Sequence, residues 1–182
     1  QVLYVEEREL VGNSSKSSFA VRLEATGTIL WTKSFTGFDA QSQISDAVTD
    51  VQGTVYLTGK FSGETQFTDQ VQISKGQTDV FVCAIKTDGQ VQWISTLGGD
   101  NVDEGLSIQL TENQKSVMVA GYFNKFIESG KKTLKSEFDN QVFIARWDNR
   151  GNLDELRKQE FNSTFQCAGH KLDAKGNLWI CG

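Results

Sequence analysis

The chain has 182 residues, with 18 Lys and Arg against 23 Asp and Glu, for a formal net charge of −5. An acidic chain with no basic run is a poor counterion for a nucleic-acid backbone or an anionic membrane, so neither is expected as a partner. At 38% hydrophobic and 10% aromatic residues it can fill a packed core, and the absence of Pro excludes proline-rich linkers.

The first ten residues, QVLYVEEREL, carry three Glu and one Arg and do not read as a secretory signal. Further on, FAVRLEA (19–25) puts Phe19, Val21 and Leu23 on one face and Arg22 and Glu24 on the other, the period of a half-buried strand. A turn, EATGT, follows, in which Gly supplies the positive φ of a tight hairpin. A second strand, TILWTKSF, leads to a polar loop and a third strand, ISDAVTD. Another turn, DVQGT, opens a fourth strand, VYLTGKF. The longest apolar run, 80–85, has strand length and falls far short of the roughly 20 residues of a membrane-spanning helix.

The same string returns after 62 residues. FVCAIKTDGQVQWISTLGG opens at Phe81, and FIARWDNRGNLDELRKQEF opens at Phe143. Gly27, Gly89 and Gly151 fall in register, as do Trp31 and Trp93, and Val55 and Val117. TVYLTGKF (54–61) matches SVMVAGYF (116–123), and LWICG matches again with one residue deleted. The chain therefore reads as one segment, 1–182, with the tail of a preceding repeat at 1–16, repeats at 17–78 and 79–140, and a partial repeat at 141–182. Four short antiparallel strands per repeat predict an all-β fold of β-propeller-type blades, about three of them. Three blades are too few for a ring, so the expectation is part of a larger propeller, or a ring that two chains complete. The third copy departs over 155–170, where Glu155 replaces the Trp and the Gly-Gly pair is missing.

The pattern DVFVCAIKTDGQVQW…LGGDNVDEG…VMVAGYF resembles the SBBP-type beta-propeller repeat. FSGETQFTDQVQISKGQTDVF (61–81) fits the F-x-G-x-x-x-F spacing of that repeat. The resemblance covers essentially the whole chain. It implies a propeller from a large, secreted or surface-attached protein, located outside the cell or on its surface.

Candidate site residues are few. DNVDEG (100–105) is the densest carboxylate cluster, and Asp100, Asp103 and Glu104 are its potential calcium ligands. Val102 breaks the alternation of oxygen ligands, so the expectation is a solvated connecting loop and no metal. Trp31 and Trp93 could stack on a sugar once per blade; their fixed phase favours packing between blades. His170 is the sole imidazole, which excludes HExxH and His-triad zinc sites and favours a structural role. TGK at Thr58 lacks the remaining residues of a P-loop, GLSIQ at Gly105 lacks the second Gly of a nucleophile elbow, and ESGKKTLKSE reads as a solvated turn. Cys83, Cys167 and Cys181 form no CxxC pair and read as small buried residues, with pairing of Cys167 and Cys181 left open. Asn13 and Asn162 head N-x-S/T triplets.

The sequence thus leads to a non-catalytic binding or assembly module of an extracellular or cell-envelope propeller, without cofactor, engaging a protein partner or the remaining blades. Two alternatives stand beside it. One is a lectin-like, glycan-binding propeller. The other is a fragment of a quinoprotein-like propeller enzyme, because EATGTILW and TDGQVQW also resemble the Trp-docking motif of those proteins.

Overall fold

The computed structural model describes residues 2–5, 8–11, 16–37, 39–159, 169–173 and 177–181. Among them there is no helix, and every regular element is a β-strand. In chain order these are β1 (Val2–Val5), β2 (Arg8–Val11), β3 (Ser18–Leu23), β4 (Ile29–Thr36), β5 (Gln41–Thr49), β6 (Val55–Ser62), β7 (Glu64–Phe67), β8 (Gln70–Ile73) and β9 (Asp79–Ile85). They continue with β10 (Val91–Leu97), β11 (Glu104–Leu110), β12 (Ser116–Phe123), β13 (Phe126–Ser129), β14 (Lys132–Lys135), β15 (Gln141–Asp148), β16 (Leu153–Gln159), β17 (Gly169–Leu172) and β18 (Leu178–Cys181).

Two complete antiparallel sheets have the orders β5-β6-β9-β10 and β11-β12-β15-β16. On one side β3–β4 is extended by a short hairpin into a further four-stranded sheet of order β3-β4-β7-β8, and on the other lies the pair β17–β18. Between the second and third strand of each complete sheet the chain makes a short extra hairpin, β7–β8 or β13–β14, in the segment that the sequence left without strands. Each hairpin binds back to the preceding sheet. Phe35 pairs with Phe67 and Thr36 with Gln66, and 62 residues on Gly98 pairs with Glu128.

Four-stranded antiparallel units are as expected, but their phase differs from a unit counted from Phe19. β3–β4 and β5–β6 lie in one sequence repeat and in two different sheets. β6 instead takes β9 of the next repeat as its partner, from Val55↔Ile85 to Phe61↔Asp79. Alternation along a strand fixes which face is buried and says nothing about which strand lies beside it.

The middle sheet is covered on both faces, so all seven residues of β9 are buried. Its Phe81, Cys83 and Ile85 join Trp31, Phe35, Phe61 and Phe67 in one core. Val80, Val82 and Ala84 point the other way and join Trp93, Leu97, Ile108, Phe123, Phe143 and Trp147 in the second. Aromatic rings dominate the first core, with Phe67 centred 5.2 Å from Phe35 and 5.0 Å from Phe81. The first strands of successive sheets come together, β11 packing against β5 on one side and β17 on the other. The short hairpin turns lie at one end of the sheets, and the loops that link sheet to sheet lie at the other.

Candidate functional site

Two kinds of contact join the sheets, one that repeats and one that is found once among the described residues. The repeating joint is built on Trp. From β4, Trp31 donates its Nε1–H to Thr87 O at 3.1 Å, and its ring lies over Gly89, where a Cβ would stand 2.9 Å from Cγ. From β10, Trp93 donates to Asn149 O at 3.1 Å and lies over Gly151, where a Cβ would come within 2.8 Å. Both glycines have positive φ, +84° and +85°. The indoles are 9% and 8% exposed, so each ring is spent on the turn of the neighbouring sheet. Glu155 holds the same register position on β16, opposite Arg146 as Trp31 is opposite Arg22 and Trp93 opposite Ala84. It forms ion pairs with Arg146 (3.3 Å) and Arg157 (3.4 Å) in place of an indole joint.

Among the described residues, the second contact is seen only between the two complete sheets. It places three buried acids beneath the 98–103 loop: Asp79 at the start of β9, Asp103 at the end of the loop and Glu104 at the start of β11, 1%, 0% and 5% exposed. Asp103 accepts from Gly99 N–H at 2.7 Å and from Asn124 N–H at 3.1 Å, tying the loop to the end of β12. Asn124 adds a side-chain donation to Val102 O and accepts from Asn140 N–H at 2.8 Å. Glu104 accepts from Lys60 Nζ and from Tyr122 Oη, both at 2.7 Å. Asp79 takes Lys75 N–H on Oδ2 at 3.1 Å, while its buried Oδ1 has no hydrogen-bond partner among the described residues. Its carboxylate fills the space over Gly98, where a Cβ would stand 2.1 Å from Cγ. The corresponding positions one repeat earlier are Ser17, Gln41 and Ser42, so the first joint carries no such charge.

Electrostatics follow from burial. Desolvation pushes the Asp103 carboxyl up to about 7 against the pull of its two N–H donors, and the charges of Asp79 and Asp100 add to the rise. Asp79 is raised for the same first reason. Burial and the bond to Glu104 push the Tyr122 hydroxyl upward. Because Asp103 titrates higher when folded than the roughly 3.9 of a free Asp, the folded chain binds the extra proton between those values. Stability is therefore expected to fall as pH rises from about 4 to about 7, and to level off above. Urea midpoints measured across that range check this. Asp103→Asn should flatten the slope, and a slope left unchanged would remove Asp103 as its source.

The structure thus divides the acidic loop. Asp100 is exposed at its tip, whereas Asp103 and Glu104 are buried beneath it rather than solvated as the sequence led us to expect. The reason is that their partners Asp79, Lys60, Tyr122 and Asn124 come from other strands, which composition within the loop does not reveal. Lys60 and Tyr122, one repeat apart, escaped sequence reasoning, and their shared repeat position was the only available signal. Among the described residues no group of three or more His, Cys, Asp or Glu is placed to hold a metal ion. Cys83 is buried and unpaired, and burial pushes its thiol up to about 12, far from a reactive thiolate. His170 and Cys181 are placed only as backbone positions of β17 and β18; Cys167, Asn13 and Asn162 lie outside the described residues. No described helix is long and apolar enough to cross a membrane. Compared with protein-family models and with curated proteins, the chain matches none.

Proposed function

We propose that the sheets are blades of a β-propeller and that the chain serves as a non-catalytic binding or assembly module, of the extracellular or cell-envelope type that its SBBP-like repeats suggest. The observation that carries this reading is the Trp-on-glycine joint, which recurs at the sequence period between successive sheets. A contact repeated at a fixed interval stacks like units in a constant relation, as blades require. Meander order within each sheet and convergence of the first strands support the same geometry.

The binding face in this reading is the end that carries the sheet-linking loops. Repeated residues build the scaffold there, and residues that break the repeat give the face its identity. Asp103 ties the 98–103 loop to Gly99 at its start and to Asn124 at the end of β12, and Asp100 stands exposed on the loop so anchored. Exposed Lys75 and half-buried Glu128 pair at 2.9 Å nearby, and exposed Lys125 and Asp139 pair at 3.4 Å. A mixed-charge rim of this kind suits a protein partner of complementary charge.

Affinity capture from native extracts tests the assignment when the chain is run beside a folded Asp100→Lys, Lys125→Glu variant. A partner retained by the native chain and lost by the variant is the expected result. Equal retention by both would remove this face from the function.

A further inference from the structure

Two buried carboxyls hold the glycine pair that opens the 98–103 loop. Asp103 Oδ2 accepts from Gly99 N–H at 2.7 Å, and the Asp79 carboxyl lies over Gly98, where a Cβ would collide with it. The backbone brings the two acids together. Thr78 bridges Val102, and Asp103 N–H donates to Thr78 O at 2.9 Å, so Asp79 and Asp103 each follow a residue of the bridge. Comparison between repeats ties Gly98 to Asp79. Gly99 is matched one repeat earlier by Gly37, and a Cβ on either would run into a backbone oxygen, of Phe126 or of Glu64. That glycine belongs to the shared scaffold. Gly98 is matched by Thr36, and Asp79 by Ser17. The fold therefore accepts a side chain at position 98, and here the Asp79 carboxyl takes its volume.

Hydrogen bonding is unequal across the pair. Asp103 accepts an N–H on each oxygen, from Gly99 on Oδ2 and from Asn124 on Oδ1. Asp79 accepts from Lys75 N–H on Oδ2, and its buried Oδ1 meets no donor among the described residues. A proton on either Asp103 oxygen displaces a donor, whereas Asp79 Oδ1 has none to lose. A buried carboxylate oxygen without a donor is costly, and a neutral carboxyl lowers that cost. Nearby cations are engaged elsewhere. Lys75, in the loop before β9, gives its ammonium to Glu128 of β13 at 2.9 Å. Lys60 of β6 gives its own to Glu104 of β11 at 2.7 Å, and Tyr122 of β12 holds the same carboxylate. Asp100 adds a negative charge from the loop tip, and β10 carries no ionisable side chain. Desolvation raises the Asp79 carboxyl against the pull of the Lys75 and Gly76 N–H groups.

We propose that Asp79 and Asp103 share one proton and form a latch on the Gly98-Gly99 segment. With the proton on Asp79 Oδ1, one neutral and one charged carboxyl are buried together. Its loss sets two buried anions against each other, and the loop that presents Asp100 is released. The latch is closed at mildly acid pH and opens as pH rises past neutrality. Raised carboxyls give this sign, because their contribution is complete below about 4 and is lost through about 7, the value for Asp103. The inference rests on the binding-face reading above and names its regulation.

Carboxyl carbon shifts in an NMR titration of the native chain locate the proton. Asp79 is expected to remain neutral at pH values where a free Asp is already ionised. An Asp79 that ionises wherever a free Asp does overturns the latch. Amide exchange reads the loop. After correction for the intrinsic rate, protection of the Gly99 and Asn124 N–H groups is expected to fall at least about tenfold from about pH 5 to about pH 8, the factor that one unit of displacement is worth. Asp79→Asn should abolish the fall. So should the double change Asp79→Ser, Gly98→Thr, which installs the residues of the earlier copy and suits the same scaffold. A fall of equal size in both variants, or none in the native chain, overturns the proposal. Stabilisation by calcium that EDTA reverses also overturns it, since a cation then holds Asp79 ionised. The two readings fail separately. Ionised Asp79 leaves capture through Asp100 and Lys125 standing, and lost capture with a neutral Asp79 removes the face alone.

Discussion

Trp93→Ala is expected to cost about 3–5 kcal/mol of stability, the usual range for removing a buried Trp. The indole fills the joint between the two complete sheets, lies over Gly151, packs 6.1 Å from the Tyr56 ring and satisfies Asn149 O. Alanine leaves a cavity that the surrounding backbone cannot close, and it strands a carbonyl oxygen. Trp93→Phe keeps most of the contact and loses the hydrogen bond, so a loss of about 1 kcal/mol is expected. Val51→Ala, at a side chain 76% exposed, should shift stability by no more than about 0.5 kcal/mol. Urea unfolding followed by circular dichroism measures all three. If Trp93→Ala behaved like Val51→Ala, the Trp joint would not be holding the sheets together.

The second large effect concerns glycines where two strands approach closely. Gly59 and Gly121 occupy equivalent positions on β6 and β12, next to bulges in β5 and β11. A Cβ on Gly59 would lie 1.9 Å from Gln43 O, and one on Gly121 would lie 2.0 Å from Glu104 O and 2.7 Å from the Phe143 ring. Backbone oxygens held in a sheet cannot retreat by the ångström or more that contact requires. Gly59→Ala and Gly121→Ala are each expected to cost more than about 4 kcal/mol, and the proteins should be recovered insoluble or unfolded. Gly27→Ala is the control, because nothing lies within 4 Å of its added methyl and only the positive φ of +94° opposes it. Its cost should be about 1–2 kcal/mol. Soluble, native-like Gly121→Ala would show that β11 and β12 do not approach as described.

Much of the architecture could be read from the residues. The strands alternate in hydrophobicity, the turns carry glycine at positive φ, and one period links Gly27, Gly89 and Gly151. Recurrence marked Trp31 and Trp93 as residues fixed in phase, and the structure adds the partner, the turn of the next sheet. What stayed hidden is the pairing between strands distant in sequence. Nothing in VYLTGKF indicates that its neighbour is DVFVCAI of the following repeat, because both edges of a strand offer the same backbone donors and acceptors. The carboxylate cluster was half legible for the same reason. Asp100, Asp103 and Glu104 stand out as a run, yet one is exposed and two are buried, a division set by Asn124, Lys60 and Tyr122 from neighbouring strands. Glu155 at the Trp position was visible as a break in the pattern. Its register opposite Arg146 shows that the outer strand of that sheet keeps its place and carries charge where its counterparts carry an indole.

Indole hydrogen exchange reports on the joint between sheets, which is made by the Nε1–H groups of Trp31 and Trp93. With the four Trp signals assigned by single substitution, these two protons are expected to exchange far more slowly than a free indole. They should also become labile together as the chain unfolds. Exchange of either proton at the free-indole rate under native conditions would contradict the repeating joint, and with it the proposal that the sheets are successive blades.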